Sequence, residues 1–355
     1  MLIFLDDIIF SLQTVGGISV YWAEFLNHIN QSDLDVTLLK RTDNKCILSN
    51  KLRWHKKISW ELKLPIKISR ILPLLNILPS KSIYHSSYFR VSLQKNICNI
   101  VTLHDLAGEM GMITGWRRKF KIILQSAAIK KADGIICVSQ TTLNSLLSYY
   151  PNINPLKTVV IYHGCSNSFF CNKNKTPTLK KQIIFIGGRK DYKNFDICLE
   201  TIAQLPDFEL LIIGGDNLQL NEIAIIQNKI GNRYSYIKEV KTEVLNQIYN
   251  NAYCLFYPTY YEGFGMPVVE AMKAGCVVIS CATNAIVEVA GDAAILIEDP
   301  KNTKAFVEAI LSLNDLEFKN ALINKGLERA KRYNWDNHFN QTINFYKNMY
   351  KLKFG

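Results

Sequence analysis

Short β-branched and aliphatic runs alternate along this chain with longer stretches whose apolar residues recur at helical spacing. Apolar runs bounded by Gly, Pro, Asn or Asp read as strands buried on both faces. In the first half they are Leu2–Leu5, Asp35–Leu39, Ser82–His85, Asn99–Leu103, Gly134–Val138 and Thr158–Tyr162. In the second half they are Gln182–Ile186, Phe208–Ile213, Tyr234–Ile237, Ala252–Tyr257, Val277–Cys281 and Ala294–Glu298. Strand and helix alternating throughout predict doubly wound parallel sheets with helices on both faces, an α/β fold. The polar stretch Cys171 to Lys181 separates the halves and reads as a linker. The expected organisation is a domain over 1–170, a second over 171–334, and a closing helical stretch over 335–355 that packs back on the first domain. Two such domains would face one another across a cleft at the carboxyl ends of their strands, where these folds bind ligands.

A length of 355 residues suits two domains that each bury a core, and 48% hydrophobic with 20% charged residues is a globular composition. No apolar run reaches the roughly 18–20 residues of a membrane span. Met1 to Leu5 meets Asp6-Asp7 with no basic stretch before it, so it reads as a first strand and not as a signal peptide. Nine cysteines without ligand spacing indicate free thiols in a reducing, cytoplasmic setting. The six histidines show no metal spacing either, and no metal or cofactor is expected.

The net charge of +12 is unevenly placed: residues 1–165 hold 20 Lys+Arg against 10 Asp+Glu. Residues 40–70 alone carry ten basic side chains against Asp43 and Glu61, threaded with Trp54, Ile58, Trp60, Leu62 and Leu64. Basic residues interleaved with tryptophan and aliphatics suit an anionic membrane surface. The same charge would attract nucleic acid, but no nucleic-acid module accompanies it and none is expected as a partner.

Chemistry concentrates near residue 262. Glu262-Gly263-Phe264-Gly265-Met266-Pro267-Val268-Val269-Glu270 follows a strand and opens a helix. Amides at such a helix start bind phosphates or hydroxyls, and two carboxylates beside them accept hydrogen bonds from a polyol. A second strand–turn, Gly187-Gly188-Arg189-Lys190-Asp191-Tyr192-Lys193-Asn194, offers a guanidinium and an ammonium suited to a pyrophosphate. Neither stretch is a Walker A or a G-x-G-x-x-G fingerprint. Gly16-Gly17, between the first strand and a helix, lets backbone amides approach a phosphate.

The Glu262-x7-Glu270 block, with Pro258-Thr259, Ala271 to Gly275, Ile286 to Val289 and Gly291 to Ala294, resembles the donor motif of glycosyltransferase family 4. The resemblance implies a GT-B fold and retaining transfer from a nucleotide sugar. It further implies that Glu262 contacts the sugar, Glu270 the ribose, and the amides of Gly263, Phe264, Gly265 and Met266 the sugar and its phosphate. Arg189 and Lys193, after Gly187, would hold the diphosphate, Gly16-Gly17 would close over the donor, and Val240 would lie by the base. His104, at a strand end, would face the reaction centre, oriented by Asp105.

The G-x-R-x-x-Y-K-N form is similar to a bacterial surface-polysaccharide branch, which inclines the donor to a GDP-sugar over a UDP-sugar. The acceptor would be a glycan or lipid-linked saccharide at the inner face of a membrane. Asp33-Leu34-Asp35 is a D-x-D pair, the metal-binding pattern of the GT-A fold, but it reads as a surface turn before a strand. A non-catalytic nucleotide-sugar-binding subunit and a GT-B epimerase are the alternatives.

Overall fold

The computed structural model describes residues 1–112, 115–172, 181–189 and 191–355. Most of the expected linker, and Lys190, lie outside them. The chain forms two compact units, Met1–Gly164 with Trp335–Gly355, and Cys165–Asn334. The division falls earlier than the polar linker implied. Cys165 N donates to Tyr333 O at 3.1 Å, and Lys273 Nζ bonds Cys165 O and Asn167 Oδ1, so this segment is already tied into the second unit.

The first unit is built on seven parallel strands: Leu2–Asp6 (β1), Val36–Lys40 (β2), Lys57–Trp60 (β3), Ser82–Ser86 (β4), Ile97–Leu103 (β5), Gly134–Cys137 (β6) and Thr158–Val160 (β7). Their order is β3-β2-β1-β4-β5-β6-β7, so the direction of winding reverses between β1 and β4. Every residue of β5 is buried, as a central strand covered on both faces requires. β3 is absent from the expected strands. It is an edge strand with Lys57, Ile58 and Trp60 exposed, so it shows no apolar run.

The helix Trp335–Phe354 belongs to this unit and lies close against the sheet. A Cβ on Gly134 of β6 would sit under 3 Å from Ile100, Phe345 and Met349, so only glycine permits that approach. Lys353 Nζ closes the end of the contact on Asp133 at 2.6 Å and Ile97 O at 2.7 Å.

At the reversal point of this sheet lies a buried ionic network. Asp6, at the end of β1 and fully buried, accepts from Arg90 (2.7 Å), Tyr84 (2.6 Å), Ser86 (2.8 Å) and Ser87 (2.6 Å). Arg90 also forks onto Glu61, which Arg41 approaches at 3.5 Å. Burial pushes the Asp6 carboxyl up, but the Arg90 charge and the Ser87 and Tyr84 hydroxyls outweigh it and hold it below the usual range.

Four of the six histidines share one aromatic cluster in this unit. Tyr21 contacts His104, His163 and His338, and His85 bonds Tyr346 Oη through Nδ1 and Thr102 Oγ1 through Nε2. Burial lowers His85 to about 3 and His104 and His338 to about 4, and takes His163 well down as well. A depressed histidine stays neutral in the folded state while its unfolded counterpart takes up a proton below about pH 6.5. The first unit is therefore expected to lose stability as pH falls from about 6.5 towards 4, by up to ~1.4 kcal/mol per pH unit for each histidine. Asp7, raised to about 7 by burial, opposes them, because its folded form gains a proton first as pH falls. Glu24, also raised by burial, opposes them in the same way, and four groups against two keep the sign. Urea midpoints at pH 7, 6 and 5 measure this, and a flat series would mean that the cluster admits water.

The second unit carries six parallel strands: Lys181–Ile186 (β8), Phe208–Ile213 (β9), Tyr234–Ile237 (β10), Cys254–Tyr257 (β11), Val278–Cys281 (β12) and Ala294–Ile297 (β13). Their order, β10-β9-β8-β11-β12-β13, reverses between β8 and β11. Its core is aliphatic and phenylalanine-rich, with Ile183, Phe185, Leu210, Ile212, Phe256 and Ile279 facing the covering helices.

Candidate active site

The reversal between β8 and β11 leaves a crevice at the carboxyl ends of the two strands, the place where doubly wound sheets bind ligands. The turns that follow these strands are the two motifs of the sequence. Tyr192 O joins them, accepting from Tyr260 N at 3.0 Å and Thr259 Oγ1 at 3.1 Å, and the Tyr192 and Tyr261 rings meet edge to face.

Lys193 and Glu262 are thereby brought together. Lys193 Nζ lies 2.5 Å from Glu262 Oε1 and 3.0 Å from Tyr257 Oη. Tyr257, the last residue of β11, donates its hydroxyl to the same carboxylate oxygen at 2.8 Å. Burial and the Glu262 charge raise the Tyr257 pKa well above its ordinary value, so its proton stays in place. The lysine and the carboxylate each keep about a sixth of their side-chain surface exposed, at 18% and 14%. A cation, a carboxylate and a phenol thus stand at one strand end with access to solvent.

Gly265 opens the helix Met266–Lys273 with φ 90°, and a Cβ there would meet Ile286 Cδ1 at 2.5 Å. Only glycine satisfies both demands. Pro267 occupies the second position of this helix, where its missing N–H costs no intrahelical bond. Phe264 packs its ring edge-on against Tyr333, so its side chain is core. Gly187 lies beside the cluster: a Cβ on it would be 3.8 Å from Lys193 Cε. Glu270 accepts from Tyr249 Oη at 3.4 Å and, though partly exposed, is pushed up to about 7 by the protein packed around it. Val240 lies half-buried in the loop after β10.

Arg189 is not part of this cluster. Its guanidinium is 3% exposed and turns to the β9 side, bonding Glu222, Gly214 O (3.1 Å) and Asp216 O (2.5 Å) over the Tyr236 ring. A phosphate recruiting Arg189 has to compete with Glu222, which also caps its own helix through Gln219 N.

Gly16, Gly17 and His104 belong to the first unit. Gly16 caps the helix Gly17–Gln31 and donates its amide to Ser19 Oγ. His104 is half-buried at the end of β5, against Tyr21 and stacked on His163. Asp105 does not orient it as expected: its Oδ1 takes Lys121 Nζ at 2.6 Å and Ala107 N at 2.9 Å. The Asp33-Leu34-Asp35 turn places Asp35 on Lys57 at 3.1 Å. Among the described residues no group of three or more His, Cys, Asp or Glu is arranged to hold a metal ion.

Sequence reasoning missed Tyr257, Tyr249 and Glu222. Tyr257 alone left a signal, as a polar-tipped residue closing an apolar strand run.

Each unit is a doubly wound parallel sheet, and the second carries a lysine–carboxylate pair and a helix start at its winding reversal. The sequence model described as Glycosyltransferase Family 4 matches residues 15–168, and that for Glycosyl transferases group 1 matches residues 167–329. The chain belongs to this GT-B glycosyltransferase family.

Among curated proteins it is 40% identical over 113 residues to O-antigen chain mannosyltransferase B of Escherichia coli, a match covering 32% of this chain and 29% of that protein. To O-antigen chain mannosyltransferase RfbU of Salmonella typhimurium it is 23% identical over 261 residues, 73% of this chain and 71% of the relative. The fold is similar to that of sucrose-phosphate synthase from Thermosynechococcus elongatus (TM-score 0.79, 18% identity, 99% and 100% of the two chains). It is also similar to Anabaena HepE in complex with UDP and glucose (TM-score 0.73, 13% identity, 98% and 99%).

Proposed function

We propose that this glycosyltransferase moves mannose from GDP-mannose to a glycan or lipid-linked glycan in the assembly of a bacterial surface polysaccharide. The observation that carries the donor site is the Lys193–Glu262–Tyr257 cluster at the β8/β11 reversal, beside the helix start at Met266. Mannose is favoured by two relatives named as O-antigen mannosyltransferases.

The bond between the anomeric carbon and the diphosphate oxygen breaks, and the pair of electrons leaves with the nucleoside diphosphate. Lys193 and the amides opening the helix at Met266 stabilise that charge, and Arg189 joins them once released from Glu222. Glu262 and the neighbouring amides hold the sugar hydroxyls, and Glu270 the ribose. The acceptor hydroxyl forms the new bond on the face the phosphate leaves, so configuration is retained. Its proton passes to the departing phosphate, and no metal is needed.

Thermal-shift measurements against GDP, UDP, dTDP and ADP and their sugars, with and without chelator, test this. GDP-mannose at a hundredfold its Kd is expected to stabilise the second unit by about 2.7 kcal/mol, and Lys193→Ala is expected to abolish the shift. Stabilisation by a UDP-sugar alone overturns the mannose assignment. No shift with any nucleotide moves the reading to a non-catalytic partner subunit.

A further inference from the structure

Two cations leave the turn that ends β8, and each already holds a carboxylate. Lys193 holds Glu262 on the β11 side, and Arg189 holds Glu222 on the β9 side. The first pair faces the crevice. The second is turned away from it, in a berth shaped to the guanidinium.

That berth is built from the turn after β9. Gly214 O and Asp216 O accept from Arg189 at 3.1 and 2.5 Å, and the Tyr236 ring lies 5.5 Å beneath the guanidinium. Tyr236 Oη donates to the same Asp216 O at 3.1 Å, which fixes the ring. Gly215 has φ 75°, and a Cβ on it would meet Arg189 Nη1 at 2.7 Å. Glycine at 215 therefore serves both the left-handed backbone and the room for Arg189.

Glu222 is held twice. Its Oε1 takes Arg189 Nε at 3.2 Å, while its Oε2 takes Gln219 N at 2.9 Å with Arg189 Nη2 at 3.4 Å. Gln219 is the N-cap of the helix Leu220–Ile230 and Glu222 its third residue, so the carboxylate also lies in the positive field of that helix start. With the guanidinium gone, Glu222 keeps the Gln219 amide and the helix field, and its side chain is 20% exposed to water. Parting this pair strands no buried charge, in contrast to the Asp6–Arg90 pair. Arg189 in turn exchanges one anion for another when a phosphate takes it.

We propose that Glu222 is a positioning residue for the donor: it holds Arg189 in reserve as a stand-in anion, and a nucleoside diphosphate binds by drawing the guanidinium from it. Glu222 thereby weakens diphosphate binding to the resting site and reclaims Arg189 when the product leaves. This rests on the donor reading above.

The test is isothermal titration of the full chain with GDP, UDP, dTDP and ADP, for wild type, Glu222→Gln, Arg189→Ala and the double variant. Glutamine also caps from the third helical position, so Glu222→Gln removes the charge and is expected to leave the melting temperature unchanged. It should tighten binding of the preferred diphosphate about tenfold, within the range of couplings inside one hydrogen-bonded network. Arg189→Ala should weaken binding, and in its background Glu222→Gln should change nothing. A purely structural Glu222 gives no gain in affinity. Equal or weaker binding by Glu222→Gln overturns the inference and leaves the donor reading standing. An equal gain with Arg189 absent also overturns it, since long-range charge then accounts for the effect. Binding of none of the four diphosphates by wild type or by Glu222→Gln overturns the inference and the donor reading together.

Discussion

Replacing Arg90 with methionine is expected to destabilise the first unit by about 3–5 kcal/mol, the cost of leaving a buried charge without its partner. Asp6 would keep Tyr84, Ser86 and Ser87 but lose the cation that holds it ionised, and Glu61 would keep only Arg41. In a unit of this size that corresponds to a melting temperature lower by roughly 10 °C. Adding Asp6→Asn to the Arg90→Met chain should recover part of the loss, because it removes the uncompensated charge and keeps an acceptor for the hydroxyls. Calorimetry or urea unfolding of both variants decides it. A change under about 1 kcal/mol for Arg90→Met would mean that water reaches the network in place of the guanidinium.

The second large effect is expected in turnover. Lys193→Ala removes the cation closest to Glu262 and should lower kcat about 10²- to 10³-fold, the usual range for losing one preorganised charge-stabilising donor. Tyr257→Phe is milder and more diagnostic. The phenol touches Lys193 and Glu262 but is a positioning group, so its loss is expected to lower kcat about tenfold while the donor's KM changes little. Steady-state kinetics with saturating acceptor separate the two constants. If Tyr257→Phe lowered thermal stability and left kcat intact, the hydroxyl would be a packing element of β11. Equal rates for Lys193→Ala and wild type would remove the lysine from the chemistry.

Much of the architecture is legible in the linear pattern because parallel strands covered on both faces must be apolar at nearly every position. Such runs mark β1, β2, β4, β5 and β6 in the first unit and all six strands of the second, within a residue or two. β3 escaped for the opposite reason. An edge strand with Lys57 and Ser59 in it satisfies half of its backbone with water, so it needs no apolar run.

Side-chain partnerships were less legible. Arg189 and Lys193 lie four positions apart in one turn and look like a matched clamp in sequence. In the fold, Arg189 finds two carbonyls and Glu222 across β9, whereas Lys193 finds Glu262 across β11. Likewise the basic run near residue 41 resembles a uniform surface, yet Arg41 is buried against Asp43 and Ser69.

The sequence by itself determined the strand–helix alternation, the two glycine-rich turns and the paired glutamates, because hydrophobic period and turn chemistry act over a few neighbouring residues. Only the tertiary structure decided which strands adjoin, and so which turns meet. The β8/β11 reversal joins residues 69 apart into the Lys193–Glu262 pair. The β1/β4 reversal fills the matching place in the first unit with the Asp6–Arg90 network. Charges placed by strand order interact over a few ångströms, and no local period along the chain encodes that distance.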